Sequence, residues 1–105
     1  MAIDPALSNA RTALFQNLAD AFVLLETSEE ARAFLTDLCT PSELHALGER
    51  WHVARLLDEG RMTYRDIHDQ TGVSTTTIVR VARFLKQEAI GGYRLVLDRL
   101  KGRLA

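Results

Sequence analysis

Residues 63–85 read TYRDIHDQTGVSTTTIVRVARFL. The stretch divides at Gly72 into two short helical patterns, one from Thr63 to about Gln70 and one from Ser74 to about Gln87. A tight turn between two helices needs a residue that tolerates positive φ, and glycine does so at no steric cost. Ile67, Val73, Ile78 and Val81 stand at offsets that let two helices pack across the angle between them. Ser74 is a good cap for the second helix, because its hydroxyl accepts from free N–H groups in the first turn. At about 100° per residue, Ile78, Val81, Ala82 and Leu85 share one side, and Thr76, Arg80 and Arg83 lie opposite. One face for a core and one face of donors is the layout of a helix that enters the major groove of DNA. Thr75, Thr76 and Thr77 are short enough to let the backbone approach the groove, and Arg61, Arg65, Arg83 and Lys86 are placed to meet flanking phosphates. His68 departs from this pattern, since the position facing the turn is often alanine.

The segments upstream and downstream also read as helices, giving an all-α chain of six. The first starts at Asp4-Pro5 and carries Leu7, Leu14, Leu18, Ala21 and Leu25 on one face. The second opens at Thr27 with Glu30 at capping-box spacing and turns Phe34, Leu35 and Leu38 inward. The third has Thr40 as N-cap, Pro41 at the first position, and Leu44, Leu47, Trp51, Ala54 and Leu57 at three- and four-residue steps until Gly60 stops it. Gly91-Gly92 interrupts the chain before a short sixth helix with Tyr93, Leu95, Val96 and Leu100. The long apolar stripes of the first and third helices exceed what one small chain covers, so a homodimer is expected.

Composition narrows the class. The chain has 105 residues, 47% hydrophobic and 26% charged, the profile of one folded domain with a modest core. No apolar run approaches the ~20 residues that span a bilayer, nothing resembles a signal peptide, and a cytoplasmic chain is expected. Cys39 is the sole cysteine, so neither an internal disulfide nor a multi-cysteine metal site can form. His45 and His52 lie seven apart and His68 stands alone, so no zinc site is expected. There is no nucleophile motif, phosphate loop or paired carboxylates, and an enzyme is not expected. Residues 1–60 hold 4 Lys+Arg and 10 Asp+Glu, whereas residues 61–105 hold 9 and 4, a net −6 against +5. A basic second half fits contact with a polyanion.

Three stretches, LCTPSELHALGERWHVARLLDEG (38–60), MTYRDIHDQTGVSTTTIVRVARFLK (62–86) and GGYRLVLDRL (91–100), resemble the Trp repressor superfamily, its YerC/YecD branch in particular. The resemblance covers roughly the C-terminal two-thirds by motif and the first helix only by pattern. It implies a six-helix, intertwined homodimer whose two helix-turn-helix units lie about one DNA turn apart. It divides a single domain, 1–105, into dimerisation helices (1–60), a helix-turn-helix (61–88) and a C-terminal helix (89–105). The implied function is a sequence-specific transcriptional regulator, a repressor, bound to double-stranded DNA. The alternative is the same scaffold used as a protein-interaction module without DNA.

The Trp repressor holds tryptophan between two arginines, with a threonine near the carboxylate. The matching positions are Arg50, Arg80 and Thr40. Arg50 also draws notice by itself, because it falls within the apolar arc beside Ala54 and Leu57. A charge there needs a partner, either a ligand carboxylate or an internal acid. Two departures disfavour tryptophan in the family's pose. The glycine after the second arginine is Val81 here, and the serine three residues further is Phe84. An amino-acid effector other than tryptophan, or none, is expected, with no other cofactor.

Overall fold

The computed structural model describes residues 5–87 and 90–104, with side chains from 9 to 87 and from 90 to 103. Six helices follow in order: α1 (Pro5–Val23), α2 (Ser28–Leu38), α3 (Pro41–Glu59), α4 (Tyr64–Thr71), α5 (Thr75–Lys86) and α6 (Gly92–Leu104). Among the described residues there is no strand. Asp4 and the side chain of Leu7, expected at the start and on the face of the first helix, lie outside the described residues.

The chain divides into two compact units between Pro41 and Ser42. This differs from the expected boundary after residue 60. The reason is that Val53, Ala54 and Leu57 of α3 are buried in one cluster with Ile67, Val73, Ile78, Val81 and Ala82. α3 therefore shares a core with α4 and α5.

In the first unit, Thr27 caps α2 by accepting from the Glu30 N–H at 3.1 Å. The Glu30 carboxylate reaches back one residue beyond the cap, to the Glu26 N–H at 2.9 Å. Phe22 and Phe34 meet edge to face, with ring centroids 5.5 Å apart. Leu18, Ala21, Leu25, Phe34 and Leu35 are only half-buried, and Leu38, expected inward, is exposed. Leu14, Phe15, Val23 and Leu24 are 70–83% exposed. This unit thus carries an apolar surface with almost no interior of its own.

The second unit has an apolar centre. Ile67, Ile78, Val53 and Val81 are its largest fully buried side chains, each worth about 1.5–3 kcal/mol in apolar burial. The buried arc of α3 runs through Val53, Ala54 and Leu57, while Trp51 is half-buried and Leu47 exposed. In α6 the residue turned inward is Leu97, and Leu95 and Val96 are half exposed. The register of α6 is set by a polar fork. Both carboxylate oxygens of Asp58 on α3 are held, Oδ1 by Arg94 Nη1 and Oδ2 by Lys101 Nζ, each at 2.8 Å. Arg94 is shared with Asp98 at 2.9 Å.

The Asp58 side chain is only 11% exposed. Hydrogen bonds from Arg94 and then Lys101 lower its pKa from 3.8 to about 2, against the opposing effect of burial. The fork therefore contributes its full stability above about pH 4 and loses it as pH falls towards 2. With both cations largely in solvent, the contribution is of order 1–2 kcal/mol. In thermal melts Asp58→Asn is expected to fall below the unmodified protein at neutral pH and to converge with it near pH 2. A constant gap down to that pH would show that charge is not what the fork supplies.

Candidate nucleic-acid interface

α4 begins with a reciprocal cap. Thr63 Oγ1 accepts from the Asp66 N–H at 3.1 Å, and Asp66 Oδ2 accepts from the Thr63 N–H at 3.1 Å. α4 ends at Gly72, whose φ of 76° is left-handed and whose N–H donates to the His68 carbonyl at 2.9 Å. The turn is then fastened by side chains. Thr71 Oγ1 donates to the Ile67 carbonyl at 2.6 Å and accepts from the Val73 N–H at 3.1 Å. His68 Nδ1 lies 2.8 Å from the Val73 carbonyl, so that nitrogen carries the proton. The imidazole at this unusual position thus spans the turn. Ser74 starts α5 by accepting from the Thr77 N–H at 3.2 Å.

The turn directs one side of α5 inward. Ile78, Val81 and Ala82 are buried, and Leu85 packs against the same cluster. On the other side Thr75, Thr76, Val79, Arg80, Arg83 and Lys86 are exposed. Thr77 differs from its two neighbours, because it is half-buried and its hydroxyl accepts from Ser74 Oγ at 3.0 Å. Val79, which the sequence reading passed over, is 54% exposed in the middle of this face. Its methyl groups are the kind of surface that meets a thymine methyl in the major groove.

Aromatic rings hold the cations of this face. The Arg80 guanidinium carbon lies 4.5 Å from the Phe84 ring centroid and that of Arg83 lies 5.3 Å from it. Lys86 Nζ is 5.9 Å from the Tyr64 ring of α4. Arg61, in the link between α3 and α4, is exposed, and Arg65 on α4 makes a loose, exposed pair with Asp69 at 3.9 Å. The structure thus gathers Arg80, Arg83 and Lys86 along one helix, with Arg61 and Arg65 on the elements leading into it.

The three positions matched to an effector are distributed differently. Thr40 belongs to the first unit, whereas Arg50 and Arg80 belong to the second. Arg50 is half-buried on α3, and among the described residues it forms no ion pair. Val81 is buried in the core, and Phe84 lies against Arg80. Two of the three histidines are otherwise engaged, His45 with Glu49 at 3.5 Å and His68 across the turn. Among the described residues no three His, Cys, Asp or Glu side chains gather as metal ligands, and no helix is long and apolar enough to cross a membrane.

Comparison with known proteins bears on this arrangement. Residues 13–101 match the family model described as Trp repressor protein. The uncharacterized protein YerC of Bacillus subtilis is 43% identical over 84 residues, covering 80% of this chain and 79% of its own. A Trp operon repressor homolog of Chlamydia trachomatis is 36% identical over 70 residues, 63% of this chain and 74% of its own. The crystal structure of a TrpR-like protein from Eubacterium eligens superposes with a TM-score of 0.77 at 39% identity, over 90% of this chain and 95% of that one. With its six helices, its fold and its sequence in agreement along most of their length, the chain belongs to the Trp repressor family.

Proposed function

We propose that this chain is a sequence-specific DNA-binding transcriptional regulator, a repressor that acts as a homodimer. The outer face of α5 carries the reading: donors and cations stand along one side of a helix whose other side is fixed in the core. Thr75, Thr76 and Arg80, with Val79, face base edges, and Arg61, Arg65, Arg83 and Lys86 face phosphates. Thr77 supports the start of the helix. The Chlamydia relative's description as a Trp operon repressor homolog agrees with this role. The exposed Leu14, Phe15, Phe22 and Val23 of α1 supply the surface for a second copy. On this reading an amino acid other than tryptophan, or none, is the effector; the burial of Val81 in the core and the contact of Phe84 with Arg80 support disfavouring tryptophan.

One titration tests these points. Binding to a mixed-sequence duplex, read by fluorescence anisotropy, is expected to fall roughly a thousandfold between about 50 and 200 mM salt, as for roughly six phosphate contacts. Arg83→Ala is expected to weaken binding by about tenfold and to flatten the salt slope by about 1–2. Adding tryptophan leaves the affinity unchanged, and sedimentation of the same sample gives the mass of two chains. No binding even at low salt would reject the DNA reading in favour of a protein-interaction module. Tightening by tryptophan would reopen the pocket at Arg50 and Arg80.

A further inference from the structure

We propose that Phe84 is a positioning residue for DNA contact, which holds the Arg80 guanidinium in place before any duplex arrives. The inference rests on the DNA-binding reading of α5 and adds a residue that this reading does not assign.

Phe84 is a half-buried phenylalanine at the border between the packed and exposed sides of α5. Residues four apart on a helix stack one above the other, so Arg80 and Phe84 are natural neighbours. The guanidinium carbon of Arg80 lies 4.5 Å from the ring centroid, within the range of a cation–π contact. Arg83, three residues along, approaches the same ring at 5.3 Å. One ring thus serves two cations of the candidate DNA face.

An exposed arginine samples many rotamers, and its freedom is lost when it meets a base or phosphate. A planar guanidinium resting on an aromatic ring has lost part of that freedom already, while its N–H edges still point outward as donors. Lys86 over Tyr64 shows the same device on the neighbouring turn. The face is therefore ordered in part from inside the chain.

The test is a double-mutant cycle on a mixed-sequence duplex at low salt, using the full chain. Phe84→Leu is expected to weaken binding by about three- to tenfold, and Phe84→Tyr, which keeps the ring, to stay within about twofold. In an Arg80→Ala background, Phe84→Leu is expected to cost clearly less, about twofold or under, because only the more distant contact with Arg83 is left to lose. Equal losses in both backgrounds would make Phe84 a packing residue and overturn the inference. So would full binding by Phe84→Leu. Should Phe84→Leu fail to fold, the free unmodified protein gives a second readout, since the ring current of Phe84 shifts the Arg80 Nε–H proton upfield. An unshifted proton overturns the inference while leaving DNA binding intact. If the unmodified chain binds no duplex, the DNA reading fails and this inference with it.

Discussion

Ile78→Ala is expected to lower the unfolding free energy by about 3 kcal/mol, because the site cannot close around the lost atoms. Ile78 has no exposed surface and stands in the cluster that joins α3, α4 and α5. Its neighbours Val53, Ile67 and Val81 are each anchored on a helix, so the cavity stays largely open. For a chain of this size the midpoint of thermal unfolding would fall by roughly 10–20 °C. Ile78→Val, which removes one methyl group, should cost only about 1 kcal/mol. A loss below about 1 kcal/mol for the alanine variant would mean that Ile78 is not at the centre of the second unit.

Gly72→Val should be nearly as damaging for a different reason. The φ of 76° at Gly72 is open to glycine and strongly opposed by a β-branched side chain. A Cβ built there meets no atom within 4 Å, so the cost is one of backbone conformation rather than collision. We expect about 2–3 kcal/mol for valine. Asparagine, which visits the left-handed region more readily, should cost about 1 kcal/mol or less. Equal losses for Gly72→Val and Gly72→Asn would point to contact with the side chain and contradict the open space seen around the turn. The spread between the two variants therefore isolates the left-handed turn from everything else in the unit.

The centre of the second unit was legible in the sequence because its logic is local. Gly72, the cap at Ser74 and the spacing of Ile67, Val73, Ile78 and Val81 are settled within about two dozen residues. Where the answer depended on distant partners, the sequence said less. The stripe Leu44, Leu47, Trp51, Ala54 and Leu57 looks like the inner face of α3; Ala54 and Leu57 are buried as that pattern expects, but Val53, outside it, is buried too, and Leu47 within it is exposed. The buried side chains of α3 are those that join the cluster with α4 and α5, and Leu47 is not among them. Leu97 turns inward rather than Leu95 or Val96, and the fork at Asp58 places Arg94 and Lys101 one turn to either side of it. No periodicity announces an ion pair between residues 36 positions apart.

At the candidate interface the residue types were readable and their mutual support was not. Arg80 and Arg83 stand out as exposed cations in the pattern, but their shared ring depends on rotamers. His68 looked like an irregularity until its ring proved to cross the turn. Val79 falls to neither side in the sequence pattern, where donors and cations alone mark the outer face.

The sidedness of α5 has a consequence for how such a protein changes over evolutionary time. Its inward residues, Ile78, Val81 and Ala82, determine whether the unit folds, whereas Thr75, Thr76, Val79 and Arg80 touch almost nothing in the core. Exchanges of exposed residues away from such packing usually alter stability by less than about 0.5 kcal/mol. On the proposed DNA-binding reading, a lineage can therefore rewrite the recognised sequence one outer residue at a time without passing through an unfolded intermediate. On the same reading the exception is Phe84, whose replacement would disturb two cations at once, so drift in specificity should be slowest at that ring.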